Sequence, residues 1–425
     1  MEQGLIKVFK FGGTSVKSAE GVKNLIKIIE GYKQPLVVVV SAMGKTTNLL
    51  ERILKGYLEQ NKSFWDDFTE LKQFHLQITN VLFGESETKC FNEVSKLLAE
   101  VETMLQSMPK GDFNFCYDQL VCYGELLSTT IIANYAAATG LNSQWVDIRR
   151  TLISDNTYRE GNINFNLSKE LCLKTFRFGL GSPNFYITQG FIAGTTSGLT
   201  TTLGREGSDY TAAILANLLN AADVTIWKDV EGVLNADPRV FKNTVKLGRV
   251  SFKEAIELAY CGAQIIHPKT IKPLQNKSIK LYVKSFLNPN AEGTLVYQTD
   301  NAINYPPIYI RKENQVLVSL TPIDFSFVIE DCLSRIFAIL FKHRVKANLV
   351  QSSAISFSVC VDDEEHFLPG ALDELKQSFT VRYNKGLELI TVRHYTSETI
   401  KNLYTGKVVY LEQKTRGTVR LVFAK

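Results

Sequence analysis

No two cysteines in this chain are spaced C-x-x-C, and no histidines fall in a metal-ligand pattern. The cysteines (Cys90, Cys116, Cys122, Cys172, Cys261, Cys332 and Cys360) are scattered and odd in number. Such a set predicts reduced thiols in a cytosolic protein rather than a disulfide frame or a zinc site. No apolar stretch reaches the roughly 20 residues of a membrane span. Leu36–Val40 is too short for one and reads as a buried parallel strand. Met1-Glu2-Gln3-Gly4 lacks the basic start of a signal peptide, so none is expected. Lys and Arg number 48 against 43 Asp and Glu, a net +5 without a basic run, which argues against nucleic acid as the main partner. No G-x-G-x-x-G follows the first strand, which counts against a dinucleotide fold. Gly44-Lys45-Thr46 invites a P-loop, but Val39 stands where that motif needs its first glycine.

What is present is a long, apolar chain. Its 425 residues, 45% hydrophobic, suit two or three domains of about 100–200 residues each. Strand-like and helix-like segments alternate over the first 300, predicting an α/β sheet with helices on both faces. Expected strands are Leu5–Phe9, Leu36–Val40, Gln144–Asp147, Asn184–Thr188, Val224–Trp227 and Lys280–Lys284. Residues 49–115 read as a mainly helical insertion, and Tyr117–Ala138 as one helix, with Leu120, Leu127, Ile131 and Tyr135 at helical spacing. A break with two prolines spans Asn301–Pro307. Beyond it, Val316–Leu320, Val328–His343, Lys346–Gln351, Ile355–Val361, Leu372–Phe379 and Leu387–Val392 follow the βαββαβ order of a ferredoxin-like unit. After Val392 only a short helix (Thr396–Tyr404) and two strands (Lys407–Leu411, Thr418–Phe423) are expected.

Six segments carry candidate chemistry. Lys10-Phe11-Gly12-Gly13-Thr14-Ser15 ends the first strand, before a helix expected over Lys17–Glu30. Glycines let backbone N–H groups approach phosphates, and Lys10 offers a point charge. An ordinary strand-to-helix turn would look the same from Gly-Gly alone. Thr47-Asn48 suits a helix start as well as a polar ligand. Tyr123-Gly124-Glu125 offers a carboxylate to an ammonium, or simply an acidic first turn. Gln189–Gly194 leads into Thr200–Ala212, where Arg205, Ser208 and Asp209 precede a helix; this could be a capped helix with a loop ion pair. Trp227–Arg239 contains Lys228, Asp229, Leu234 and Arg239 among turn residues. Gly262-Ala263-Gln264 precedes His267-Pro268, and His267 reads as a packed turn residue.

The string Lys-Phe-Gly-Gly-Thr-Ser-Val closely resembles the N-terminal signature of the aspartokinases, within the amino acid kinase superfamily. The Gly204–Ala212 block resembles that family's Gly-Arg-Gly-Gly-Ser-Asp-Tyr-Thr-Ala, with Glu206 replacing a glycine. The tail resembles an ACT regulatory region. The resemblance implies an amino acid kinase fold, an open and mainly parallel sheet between helix layers, followed by a ferredoxin-like α+β ACT-type domain. It implies a catalytic domain over 1–300 and a regulatory region over 308–425 whose second module is abbreviated. It implies transfer of phosphate from ATP to L-aspartate, giving 4-phospho-L-aspartate for lysine, threonine and methionine biosynthesis. Magnesium would be held mainly by phosphates and water. By the same resemblance Lys10 and Asp209 are catalytic, and Thr47, Asn48, Glu125, Arg205 and Ser208 bind the amino acid. Lys10, Gly12, Gly13, Thr14, Lys228, Asp229, Leu234, Arg239 and Gln264 would meet ATP. Lys228 and Gln264 depart from a threonine and a lysine usual in the family. A homodimer through the ACT-like region is implied, with no membrane or nucleic-acid partner. Lysine-inhibited relatives carry acidic residues where this chain has Asn348 and Ala354, so weak or absent lysine feedback is expected. A glutamate-type kinase and a catalytically impaired amino-acid-binding regulatory protein remain the alternatives.

Overall fold

Leu36–Val40 is buried along its whole length, as a parallel strand covered on both faces must be. The computed structural model describes residues 6–84, 89–107, 112–263, 266–324 and 327–424. The chain divides into two compact units. The first comprises Met1–Val233, Lys246–Ile256 and Ile265–Ala302; the second comprises Leu234–Val245, Glu257–Gln264 and Ile303–Lys425.

The strands of the first unit are β1 (Lys7–Phe11), β2 (Leu36–Val40), β3 (Ser143–Val146), β4 (Ile153–Ser154), β5 (Phe185–Gln189), β6 (Ile192–Thr195), β7 (Thr200–Thr202), β8 (Asp223–Lys228), β9 (Arg249–Ser251), β10 (Lys280–Ser285) and β11 (Thr294–Tyr297). Eight of them form one sheet in the order β3-β5-β2-β1-β8-β10-β11-β9, and β4-β6-β7 form a small second sheet. In the large sheet only the β10–β11 pairing is antiparallel. The helices up to the unit boundary are α1 (Ala19–Glu30), α2 (Thr46–Leu58), α3 (Phe64–Phe83), α4 (Lys89–Ser107), α5 (Phe113–Val121), α6 (Tyr123–Ala138), α7 (Phe165–Thr175), α8 (Gly207–Leu219), α9 (Phe252–Cys261) and α10 (Pro268–Gln275). The boundary falls within α9.

Side chains alternate along β1. Phe9 and Phe11 join an aromatic cluster in which Phe11 stacks on Trp227, ring centroids 5.9 Å apart. Lys10 therefore faces the other side of the sheet, toward α8. The helix α1 buries Val22, Leu25, Ile26 and Ile29 at helical spacing, and Ser18 caps it by accepting from the Gly21 N–H. It begins two residues later than expected. The single helix expected over Tyr117–Ala138 is two helices, broken at Cys122. Cys122 keeps helical dihedrals, so the break leaves no mark in the apolar spacing.

The second unit adds β12 (Ile308–Pro322), β13 (Ala347–Ser352), β14 (Phe357–Asp362), β15 (Phe379–Arg393), β16 (Val409–Lys414) and β17 (Thr418–Ala424), with helices α11 (Glu330–Lys342), α12 (Leu368–Leu375) and α13 (Ser397–Tyr404). The βαββαβ order is present. Its sheet runs β13-β14-β12-β15-β17-β16. The strands β12 and β15 are each 15 residues long and pair from Ile308↔Arg393 to Pro322↔Phe379, with register shifts around Gln315. One end of this ladder carries β13, β14 and a core with Ile336, Leu340 and Leu372 from α11 and α12. The other carries β17, β16 and a core with Leu403 from α13. A third cluster joins Leu317, Leu349 and Cys360 to Leu387, Leu389, Leu411 and Val422. Sequence patterning finds only parts of the long strands. The polar run Arg311–Asn314 hides the first half of β12, where Arg311 pairs with Glu388 across the strands.

Candidate active site

The strands β1 and β8 are neighbours although β2 to β7 intervene in the chain, so the strand order reverses between them. Open α/β sheets bind ligands beyond the carboxyl ends of their strands at such a point. Phe11 pairs with Trp227 in register, which places Lys10 and Lys228 at those ends. A cleft of about 540 Å3 opens there, within the first unit.

Asp209, in the first turn of α8, lies buried between two lysines. One carboxylate oxygen is 2.7 Å from Lys10 Nζ and the other 4.0 Å from Lys228 Nζ. Burial pushes the Asp209 carboxyl up, but the ammonium charges of Lys10 and Lys228 outweigh it and hold the group below its ordinary range. No side chain caps α8, so its N-terminal N–H groups suit an anion.

The turns after β1 and β2 touch. A Cβ on Gly13 would come within 2.6 Å of Ala42 O, so only glycine fits, and the Gly44 N–H donates to Gly13 O. Ser15 Oγ is buried beside this turn with no hydrogen-bond partner among the described residues. The close backbone approach, the orphan hydroxyl and the two ammonium groups fit phosphate. No cluster of three His, Cys, Asp or Glu suited to a metal occurs among the described residues.

Glu125 sits in the first turn of α6 and is 2% exposed. One oxygen accepts from the Ala42 N–H at 3.3 Å; the other has no partner among the described residues. Burial pushes its carboxyl up to about 8, against smaller opposing contributions from the Ala42 hydrogen bond and the Lys10 charge. A buried acid of this kind gains most from a cationic ligand group. Thr47 and Ser208 line the same cleft, as does Arg205, which is exposed.

The structure thus brings together Lys10, Thr47, Glu125, Arg205, Ser208, Asp209 and Lys228. Gly12, Gly13 and Thr14 form the adjoining turn, while Asn48 is exposed and not among the cleft-lining residues. Asp229 is exposed just past β8. Leu234 and Arg239 belong to the second unit, where the Arg239 guanidinium is spent on Asp237. Gln264 lies outside the described residues. His267 caps α10, its Nδ1 accepting from the Lys269 N–H.

Sequence reasoning missed Ser41, Tyr117, Arg159, Phe191 and Thr202 as cleft residues. Phe191 and Thr202 lie within the Gln189–Gly194 and Thr200–Ala212 segment without a role of their own, while Ser41, Tyr117 and Arg159 lie outside the segments singled out and are brought in by tertiary contacts. Glu206, noted only as a departure from a glycine, takes up a left-handed backbone (φ 52°), and its carboxylate accepts from the His267 N–H at 3.1 Å.

Residues 6–285 match the model of the amino acid kinase family, in accord with this sheet and cleft. The lysine-sensitive aspartokinase 3 of Escherichia coli is 30% identical over 395 residues, 91% of this chain and 86% of that protein. The aspartokinase of Chlamydia pneumoniae is 29% identical, covering 98% and 90%. The crystal structure of E. coli aspartokinase III with aspartate and ADP (R-state) superposes with a TM-score of 0.83 at 26% identity, covering 99% and 96%. The chain belongs to the aspartokinases of the amino acid kinase family.

Proposed function

We propose that this protein transfers the γ-phosphoryl group of ATP to the side-chain carboxylate of L-aspartate, giving 4-phospho-L-aspartate and ADP. One observation carries the assignment. A buried carboxylate (Glu125) with one oxygen that has no partner among the described residues, a guanidinium (Arg205) that has none there either and the Lys10–Asp209–Lys228 cluster share one cleft. The first suits an ammonium, the second a carboxylate and the third a phosphoryl group.

A β-carboxylate oxygen forms the new bond to phosphorus as the bond to the β-phosphate oxygen breaks and ADP leaves. The nucleophile is already an anion, so no general base is needed. The obstacle is repulsion between two anions, and Lys10 and Lys228 offset it while Asp209 fixes where they stand. Magnesium, when bound with ATP, would neutralise phosphate charge. A panel of acidic amino acids assayed for ADP release tests the assignment. Turnover with L-aspartate is expected; turnover with L-glutamate alone would favour the glutamate-type alternative, and none with any would favour a binding protein.

The second unit is the regulatory part of this reading, with homodimerisation through it and residence in the cytoplasm. Lysine feedback is expected to be weak. Asn348 is committed internally: its Oδ1 accepts from Lys312 Nζ at 2.8 Å, and its Nδ2 donates to Gln315 Oε1 and Asp362 Oδ1. A lysine ligand would have to bury an ammonium without a free carboxylate at Asn348 or Ala354. Millimolar lysine should leave turnover at saturating ATP nearly unchanged, and strong inhibition by lysine alone would overturn this expectation.

A further inference from the structure

Arg159 has no place in any motif, yet it lines the same cleft as Arg205. Neither guanidinium has an ion-pair partner among the described residues. The Arg159 side chain lies over the Tyr117 ring, 4.5 Å from its centroid, and 5.6 Å from that of Phe113. Stacking of this kind aims a guanidinium without consuming its N–H donors.

The backbone around Arg159 is held against the Arg205 loop. Arg159 adopts a left-handed conformation (φ 69°), which a non-glycine residue keeps only when its surroundings enforce it. The enforcing group is Asp118, fully buried in α5. Its Oδ2 accepts from the Arg159 N–H at 2.8 Å and from the Thr202 N–H at 3.0 Å, while its Oδ1 accepts from Thr202 Oγ1 at 2.7 Å. The Gly161 N–H donates to Thr202 O. A Cβ on Gly204, one residue before Arg205, would lie 3.2 Å from Arg159 O. One buried carboxylate thus staples two segments side by side, and each presents an arginine.

We propose that Arg159 is a second carboxylate-binding residue of the amino-acid site, acting with Arg205 on the substrate's α-carboxylate, and that Asp118 is the positioning residue for both. This rests on the cleft being the amino-acid site. The β-carboxylate must stay free to attack at the Lys10–Asp209–Lys228 cluster, so the two arginines from the stapled wall are left to share the other carboxylate. A carboxylate has lone pairs for two forks.

The experiment compares the unsubstituted protein with Arg159→Met and Arg159→Lys, using L-aspartate and its α-amide. The α-amide is supplied both as substrate and as competitive inhibitor. Arg159→Met should raise the aspartate KM roughly tenfold or more, the scale of a lost charged hydrogen bond, with kcat and the ATP KM little changed. Affinity for the α-amide should change far less, so discrimination between the two compounds narrows. Arg159→Lys should not restore it, because the fork is missing. Asp118→Asn, if it folds, should narrow the same ratio. Equal losses for both compounds, or no loss, would overturn the role of Arg159. Failure of the unsubstituted protein to use aspartate at all would overturn the site assignment itself, and this role with it.

Discussion

Lys10→Ala should lower kcat by roughly 10²–10³ while leaving the fold intact, the scale of losing a group aimed at charge developing in the transition state. Lys10 is only 9% exposed and contributes its charge rather than packing volume, because Phe9 and Phe11 on the opposite face carry the aromatic contacts of the strand. The substitution would also release Asp209. The first lysine, at 2.7 Å, is its nearer cationic partner, and Lys228 at 4.0 Å is left alone to oppose the effect of burial. The Asp209 carboxyl should therefore rise from its present depressed position, and residual activity should become more sensitive to acid. Steady-state turnover, with circular dichroism to confirm folding, checks both statements. A folded variant with near-normal turnover would remove Lys10 from the catalytic group.

Glu125→Gln should raise the aspartate KM on the order of 10²-fold, the range for truncating one partner of a buried charge pair. The same change should stabilise the protein in alkali. Burial lifts this carboxyl from its ordinary 4.5 to about 8. Between those values the folded chain holds a proton that the unfolded chain has released, so the Glu125 contribution to stability falls as pH rises through that window. Glutamine has no charge to bury, and its Tm at pH 8 to 9 should exceed that of the unsubstituted protein. An ammonium ligand needs the ionised carboxylate, so kcat/KM for aspartate should climb with pH through a midpoint near 8 and level off above it. The variant should lack that step. An unchanged aspartate KM would end the assignment of Glu125 to the substrate ammonium. A Tm that drops at pH 9 as much as at pH 5 would contradict its being a strained buried acid. Such a site trades stability for binding.

The parallel sheet was legible because its strands are continuous apolar runs such as Leu36–Val40, bounded by glycines and polar turns. The small second sheet was not. Its strands β6 and β7 are short and rich in Thr and Gly, and they show no period-two patterning. Within the cleft, the residues that sequence could find lie in glycine-rich turns at strand ends or in the first turns of helices, where backbone geometry constrains residue type locally. Arg159 and Asp118 were invisible for the opposite reason. Asp118 sits within a helix and Arg159 in a polar loop, and only the meeting of α5 with β7 makes them partners. The polar residues of β12 misled in a further way. Arg311 and Gln315 look like a linker in sequence, yet each is satisfied across the strands, by Glu388 and Asp362.

The two long strands β12 and β15 bear on how this second unit comes apart. Each belongs to both of its halves, so neither half keeps its sheet if the other melts. The early strand must also find partners from 57 (Pro322↔Phe379) to 85 (Ile308↔Arg393) residues later in the chain, and the late partner of β15 is the last strand, β17. Such long-range pairings form slowly and together. The unit should therefore unfold as one cooperative block rather than as two foldons with separate opening energies. Any small molecule that binds one half of the folded block then protects the amides of both halves by the same amount, through mass action on a single equilibrium.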